Sequence, residues 1–139
     1  MKVVAVLIVL LAIGIAVVPQ FTDCQSQGRA IELPNGRTVA MKCHWTGEAE
    51  LGLALPIAVV GGLLGFGRRR ETYRFLGILG LVLGIVAILL PTLLIGVCAS
   101  ADMICNSVMR PALILMGTLI SALSIYTLVA SRRMAAEIA

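Results

Sequence analysis

The four cysteines have the clearest chemical potential in this chain, and they fall into two pairs. Cys24 and Cys43 lie between the first and second apolar runs, and Cys98 and Cys105 lie between the third and fourth. An even number of cysteines in an oxidising compartment usually indicates disulfide bonds. Three pairings are compatible with four cysteines. We predict Cys24–Cys43 and Cys98–Cys105, because each loop would then be cross-linked within itself.

Soft ligands near these cysteines suggest a second chemistry, the binding of Cu(I). Thiolate, thioether and imidazole groups together suit this ion, and Trp45 beside His44 could stack on a bound cation. The chain has no Cys-x-x-Cys or His-x-x-x-His spacing of the kind that zinc sites use. Disulfide-bonded cysteines cannot be ligands, so such a site needs reduced thiols or methionine and histidine alone. The residues of this alternative site are Met41, Cys43, His44, Met103, Cys105 and Met109.

Thiol–disulfide exchange is a third interpretation of the cysteines. Four helices with one cysteine pair in each outer loop resemble the layout of the DsbB-type, quinone-linked disulfide-forming enzymes. Those enzymes carry a Cys-x-x-Cys pair, which tunes thiol pKa and exchange, and this chain has none. The resemblance therefore extends to the layout only.

The elements that must position these side chains are long apolar runs. The chain has 139 residues, of which 60% are hydrophobic and 13% charged, whereas about a quarter of the residues in soluble domains are charged. A helix needs about 20 apolar residues to cross a bilayer. We predict an all-α membrane protein, one domain formed by residues 1–139. Its four-helix bundle has spans at about 3–18, 47–67, 75–97 and 111–130, and external loops at 19–46 and 98–110.

The first run also resembles a secretory signal peptide. Residues 16–20, Ala-Val-Val-Pro-Gln, offer no small-x-small cleavage site. We therefore predict an uncleaved signal-anchor helix.

Lysine and arginine counts predict the orientation, because basic residues accumulate at the cytoplasmic ends of spans. One set of helix ends carries seven of the 11 basic residues and the other carries four. The seven are Lys2, Arg68, Arg69, Arg70, Arg74, Arg132 and Arg133, and the four are Arg29, Arg37, Lys42 and Arg110. We expect a multi-pass protein of the cell membrane with both termini in the cytoplasm.

Several residues at the span ends are typical membrane-interface anchors. A phospholipid headgroup site on the arginines is an alternative that the sequence leaves open. Glu48 and Glu50 are expected at the outer edge of the second span, where a carboxylate still meets water. The anchors are Trp45, Arg68, Arg69, Arg70 and Tyr73.

The first outer loop contains a β-hairpin signal. Asn35-Gly36 separates two alternating segments, which favours a tight turn between strands. Pairing Ile31 with Val39 would bring Cys24 and Cys43 near one another. We therefore predict a small extracytoplasmic cap that contains this hairpin.

Small residues indicate how the helices pack. Such residues let membrane helices approach closely, and they form pairs such as Gly80 with Gly84 on the third span and Gly61 with Gly65 on the second. Gly117, Ser121 and Ser124 form a similar stripe on the fourth span. Contacts within one chain and contacts within a homo-oligomer both fit this pattern.

Two segments resemble a family of prokaryotic four-helix membrane proteins classed as a domain of unknown function. One is the Met-Lys-Cys-His-Trp-Thr run at residues 41–46, and the other is the Cys98-x4-Met103-x-Cys105 loop before Pro111. The resemblance covers nearly the whole chain. It implies an accessory role beside membrane permeases of the ABC export class and implies no established activity.

Together these observations favour a non-enzymatic membrane protein that acts as an accessory or partner-binding subunit. No catalytic constellation is visible in the sequence: there is no Ser/His/Asp set, no phosphate-binding loop and no inward pair of acids. We expect no cofactor and no nucleic-acid partner. The lipid bilayer, a membrane permease or a second copy of the chain are the expected partners. Soft-metal handling and thiol oxidoreductase activity remain the alternatives.

Overall fold

A computed structural model describes residues 1–136 of the chain. The protein is 76% helical, and its four long apolar helices confirm the all-α prediction. Each of the four is long and apolar enough to cross a membrane. The helices are α1 (Lys2–Thr22), α2 (Lys42–Phe66), α3 (Arg70–Leu89) and α4 (Arg110–Ala136), and the strands are β1 (Ile31–Glu32) and β2 (Thr38–Val39).

Helix α2 begins at Lys42, five residues before the apolar run that starts at Gly47. The polar residues of its first turns lie at the end of the bundle, so the helix extends beyond the apolar run at this end. This extension moves Cys43 onto the helix and places Glu50 further from its start.

The helices pack as two antiparallel hairpins. Helix α1 packs mainly against α2, and α3 packs mainly against α4, with smaller contacts joining the two hairpins. Small residues explain the close α3–α4 approach, because the glycine stripe of α3 faces the glycine and serine stripe of α4. A Cβ added at Gly84 would lie 3.1 Å from the carbonyl oxygen of Gly117, and one added at Gly80 would lie 2.6 Å from Ser124 Oγ. These stripes form contacts within the chain.

The predicted β-hairpin is present, and its register is the predicted one. Ile31 pairs with Val39, and Glu32 pairs with Thr38. The connection is a three-residue turn rather than a two-residue one, because Leu33 N–H donates to Arg37 O at 2.9 Å. Gly36 adopts a positive φ of 73°, which glycine tolerates without strain. Every residue of the two strands is exposed, so the hairpin projects from the bundle.

Two π-helical turns interrupt the regular helices at the same end of the bundle. One, Leu90–Leu94, follows α3 and contains Pro91, and the other, Cys105–Met109, precedes α4. Proline removes a backbone donor and disrupts the α-helical pattern. Turns of this kind are frequent at functional sites, and here they flank the loop that carries Cys98.

Candidate functional site

The four cysteine side chains converge on one point at the end of the bundle. Their Sγ atoms all lie within 4.8 Å of one another. The Cys24 sulfur is 3.3 Å from that of Cys105 and 3.8 Å from that of Cys98, and the Cys98 and Cys43 sulfurs are 3.7 Å apart. We call these four side chains the cysteine cluster. Three of them are buried, and Cys98 is partly exposed.

The first hairpin contributes two cysteines to the cluster. Cys24 is the second residue after α1, next to Asp23, whose N–H donates to Pro19 O and closes the helix. Cys43 is the second residue of α2. The backbone N–H of Cys24 points at the Cys43 sulfur at 3.4 Å, so the two helix ends are in direct contact at the cluster.

The second hairpin contributes the other two cysteines. Cys105 is the first residue of the π-helical turn before α4, and Cys98 lies in the loop that follows the π-helical turn after α3. Gly96 adopts a positive φ of 77°, and its carbonyl oxygen accepts a 2.7 Å hydrogen bond from Thr46 Oγ1. This bond fixes the loop to α2, so that Cys98 faces Cys43.

A hydrogen bond between Asp23 and His44 supports the cluster from the side. Their Oδ2 and Nδ1 atoms are 3.1 Å apart. The second carboxylate oxygen of Asp23 accepts the N–H of Ser26 at 2.8 Å. Burial acts to raise the pKa of the Asp23 carboxyl, but the bonds from Ser26 and His44 outweigh it and hold the pKa below its ordinary value. The pair thus joins the residue before Cys24 to the residue after Cys43.

The thiols outside the helices differ in acidity. Burial and the surrounding thiols raise the pKa of Cys24. Burial also acts to raise the pKa of Cys98, but hydrogen bonds with Cys43, Cys24 and Cys105 outweigh it and lower that pKa. Cys98, whose pKa is lowered, is also the one thiol of the four that is partly exposed.

Two small cavities flank the cluster, and each contains an arginine. One of 140 Å³ is lined by Cys24, Arg29 and Met103 among others. The other, of 160 Å³, is lined by Cys98 and Arg110 among others. A thiolate is stabilised by a nearby cationic side chain, so the two arginines suit a cluster that carries negative charge.

The structure corrects the disulfide prediction. All four cysteines lie among the described residues, and all are free thiols. The expected bonds Cys24–Cys43 and Cys98–Cys105 are therefore not formed. The two loops do not each close on themselves, because they meet each other and bring all the sulfurs together.

The soft-ligand set predicted for Cu(I) is brought together only in part. Among the histidine, cysteine, aspartate and glutamate side chains of the described residues, the converging group consists of the four cysteines. His44 contacts Asp23 instead, and its ring lies edge-on to Trp45 with centroids 5.8 Å apart. Met109 is fully buried in the core, while Met41 and Met103 pack against that core.

Glu50 occupies a different environment from the one expected. Its side chain is fully buried, and neither carboxyl oxygen has a hydrogen-bond partner among the described residues. The early start of α2 explains the difference, because Glu50 is two turns beyond Cys43 on the same buried face of the helix. The expectation that it meets water at the outer edge is wrong.

The predicted interface anchors are divided between the two ends of the bundle. Trp45 is 58% exposed beside the cluster. At the opposite end, Arg68, Arg69 and Arg70 lie at the α2–α3 connection. Tyr73 donates a hydrogen bond to Gly67 O, and Arg70 Nε donates to Ser131 O at 3.2 Å.

Sequence reasoning missed two features of the site. It placed Cys24 and Cys98 outside the metal-binding alternative, and it did not pair His44 with Asp23. A signal for the first was present, because the hairpin register already placed Cys24 near Cys43. The second pair is 21 residues apart in the chain, and no spacing rule relates residues at that distance.

Comparison with known proteins identifies the family. A family model described as domain of unknown function DUF4418 matches residues 2–130. No curated protein and no solved structure matches the chain at a significant level. The match covers nearly the whole chain and includes all four cysteines, three of the four apolar helices and most of α4, so the chain belongs to the DUF4418 family.

Proposed function

We propose that this protein is a non-enzymatic membrane protein whose cysteine cluster binds one thiophilic metal ion, with Zn²⁺ as the first candidate. The observation that carries the proposal is the mutual approach of four sulfurs from four separate segments. A tetrahedral ion with metal–sulfur bonds of about 2.3 Å separates its sulfur ligands by about 3.8 Å. Three of the six sulfur separations, 3.3, 3.7 and 3.8 Å, are close to that value, and all six are within 4.8 Å.

The charges beside the cluster suit an anionic metal–thiolate complex. Four thiolates around Zn²⁺ leave a net negative charge, and Arg29 and Arg110 line the two adjacent cavities, the first of them together with Asp102. Burial of Cys24, Cys43 and Cys105 excludes water from the ligands. A tetrathiolate set suits zinc or iron, and reduced cysteines also suit Cu(I).

The charge pattern supports an extracytoplasmic position for the cluster. Seven of the 11 basic residues lie at the opposite end, which favours the cytoplasm for that end. Free thiols on the oxidising side of a membrane would otherwise form disulfides. A bound metal would protect them, so orientation and metal binding are consistent with each other.

Cobalt substitution tests the proposal directly. The protein would be purified in mild detergent under reducing, oxygen-free conditions and titrated with Co²⁺. We expect a saturating spectrum of a tetrahedral thiolate site at one ion per chain, which Zn²⁺ displaces. Serine substitution of any of Cys24, Cys43, Cys98 or Cys105 should abolish this spectrum, and thermal melts would show whether each variant remains folded.

The controls separate the metal site from its alternatives. Met41→Ala and His44→Ala should retain the cobalt spectrum, because neither side chain belongs to the cluster. If the cluster binds Cu(I) more tightly than Zn²⁺, the ion of the site would be Cu(I). Two disulfides in protein isolated without reduction, together with reoxidation by quinone after reduction, would instead support thiol oxidoreductase activity and overturn the proposal.

A second candidate function, partner binding, is favoured by the projecting hairpin. Ile31, Leu33 and Val39 are exposed on it, and large apolar side chains on a protruding element are typical of protein contacts. A permease of the ABC export class is the partner that the family resemblance implies, and it is the first to test. The permease should copurify with wild type in mild detergent and should be lost from the Ile31→Ser/Val39→Ser variant. It should be retained by Glu32→Ser, since Glu32 lies beside Ile31 on β1.

A further inference from the structure

The end of the bundle opposite the cysteine cluster contains an apolar groove between α1 and α2. The groove has a volume of 360 Å³ and is lined by Val6 and Leu10 of α1 and by Gly62 and Gly65 of α2 among others. Its wall on α2 is low because glycine has no side chain. A Cβ added at Gly62 would meet nothing within 4 Å, so this position opens into the groove.

The groove ends at a larger, mostly apolar cavity that has two basic side chains in its lining. A cavity of 650 Å³ shares Lys2, Gly65 and Phe66 with the groove and continues to Arg68 and Tyr73. Among the described residues, neither Lys2 nor Arg68 forms an ion pair with a carboxylate. The apolar groove and the basic cavity are therefore one continuous surface with a charge at one end.

We propose that this surface binds one anionic phospholipid. One acyl chain lies in the groove between α1 and α2, and the phosphate of the headgroup lies between Lys2 and Arg68. The groove runs along α1 from Leu10 to Lys2, which spans about 12 Å at 1.5 Å per residue. Both ends of this surface match the ligand: the apolar part lies along membrane-spanning helices, and the basic part lies at their ends.

Charge complementarity favours a lipid over a second copy of the chain. The groove walls are apolar, but its mouth carries two cations, so an occupant must combine an apolar segment with a negative group. The corresponding end of a second copy carries the same cations, and like charges would repel at such an interface. An anionic lipid has both properties in one molecule.

Blocking the groove is the main test. Gly62→Leu places a side chain in the open space, where the added Cβ meets nothing within 4 Å, and also raises helix propensity. Gly52→Leu is the matched control, because Gly52 lies on the same helix and also has no atom within 4 Å of an added Cβ. Each variant would be reconstituted in nanodiscs of equal parts phosphatidylglycerol and phosphatidylcholine with identical chains, then released and analysed by native mass spectrometry.

We expect wild type and Gly52→Leu to retain one phosphatidylglycerol and Gly62→Leu to lose it. Lys2→Gln and Arg68→Gln should each reduce the preference for phosphatidylglycerol by about fivefold, since one basic residue near an anionic surface contributes about 1 kcal/mol. Arg37→Gln, the same charge change on the hairpin, should leave the preference unchanged. Equal retention of both lipids by wild type, or unchanged retention by Gly62→Leu, would overturn the proposal. So would a change in oligomer mass in place of lipid loss.

Discussion

The two ends of the helix bundle connect their helices in different ways. At the basic end, α2 passes into α3 through residues 67–69 alone, and the arginines there are exposed. At the cysteine end, the connections are long, and they contain both π-helical turns. The three glycines of the described residues with positive φ, Gly28, Gly36 and Gly96, all lie at this end.

The length of a connection determines whether its side chains can point into the bundle. A three-residue link holds two helix ends together but leaves its side chains facing outward, so it can present charge to a surface. Longer irregular connections can fold back over the bundle, and four thiols from separate segments can then meet. The basic end suits contact with lipid headgroups, and the cysteine end suits an enclosed site.

The largest expected difference between the ends is the side of the membrane on which each lies. Reporter fusions after Arg70 and after Ala139 should report the cytoplasm, and a fusion at Asn35 should report the outside, because positive charge is retained in the cytoplasm. An external signal from the Arg70 fusion would reverse the assignment of the two ends.

Removal of a metal ion from the cysteine cluster should lower the stability of the folded protein strongly. A ligand present at about 1,000 times its dissociation constant stabilises the folded state by about 4 kcal/mol. We expect a zinc chelator to lower the melting temperature of wild type by several degrees and to leave Cys43→Ser unchanged. A Gly52→Leu control should respond as wild type does. Equal chelator effects on wild type and Cys43→Ser would show that the cluster holds no stabilising ion.

Replacement of Glu50 distinguishes a structural from a functional role of the buried acid. A buried polar group without a hydrogen-bond partner costs about 1–3 kcal/mol. Glu50→Met keeps a similar volume and removes the two unpaired oxygens, so it should raise the melting temperature in detergent. Glu48→Met, two positions earlier on α2, is the control and should have little effect. A lower melting temperature for Glu50→Met would mean that the carboxyl makes a stabilising contact in the folded protein.

The smallest expected effect concerns the Asp23–His44 pair. The folded-state pKa of Asp23 lies below its ordinary value of about 4, so its contribution is fully present above that value and is lost as the pH falls further, through the lower folded-state pKa. His44→Ala should destabilise the protein by about 1 kcal/mol at neutral pH, since the pair is partly screened by solvent. Below pH 4 the difference should shrink. A double-mutant cycle with Asp23→Asn measures the coupling, and no coupling would show that the pair only fills space.

Much of the fold is readable from the sequence because it depends on local patterns. Apolar runs of sufficient length predict all four helices, and Asn35-Gly36 between alternating segments predicts the hairpin. Even the register of Ile31 with Val39 follows from these patterns. Helix bounds are less accurate, because polar first turns such as those of α2 carry no hydropathy signal.

The candidate site is less readable because it depends on contacts between distant segments. Pairing cysteines within each loop is the simplest hypothesis when only sequence separation is known. The actual arrangement depends on how the two loops fold over the bundle, through bonds such as Thr46 to Gly96. The burial of Glu50 likewise depends on which face of α2 meets the other helices, and hydropathy does not contain that information.

The division of the cysteines between the two helical hairpins has a consequence for biogenesis. Cys24 and Cys43 belong to the first hairpin, one in its connection and one in the first turn of α2, and Cys98 and Cys105 belong to the connection of the second. During synthesis the first hairpin emerges with only half of the thiols, so the full set exists only after the second hairpin has inserted and docked. Completion of the cluster thus requires both hairpins. A chain that stops after α2 would carry only Cys24 and Cys43, and both thiols would lack their partners from the second hairpin.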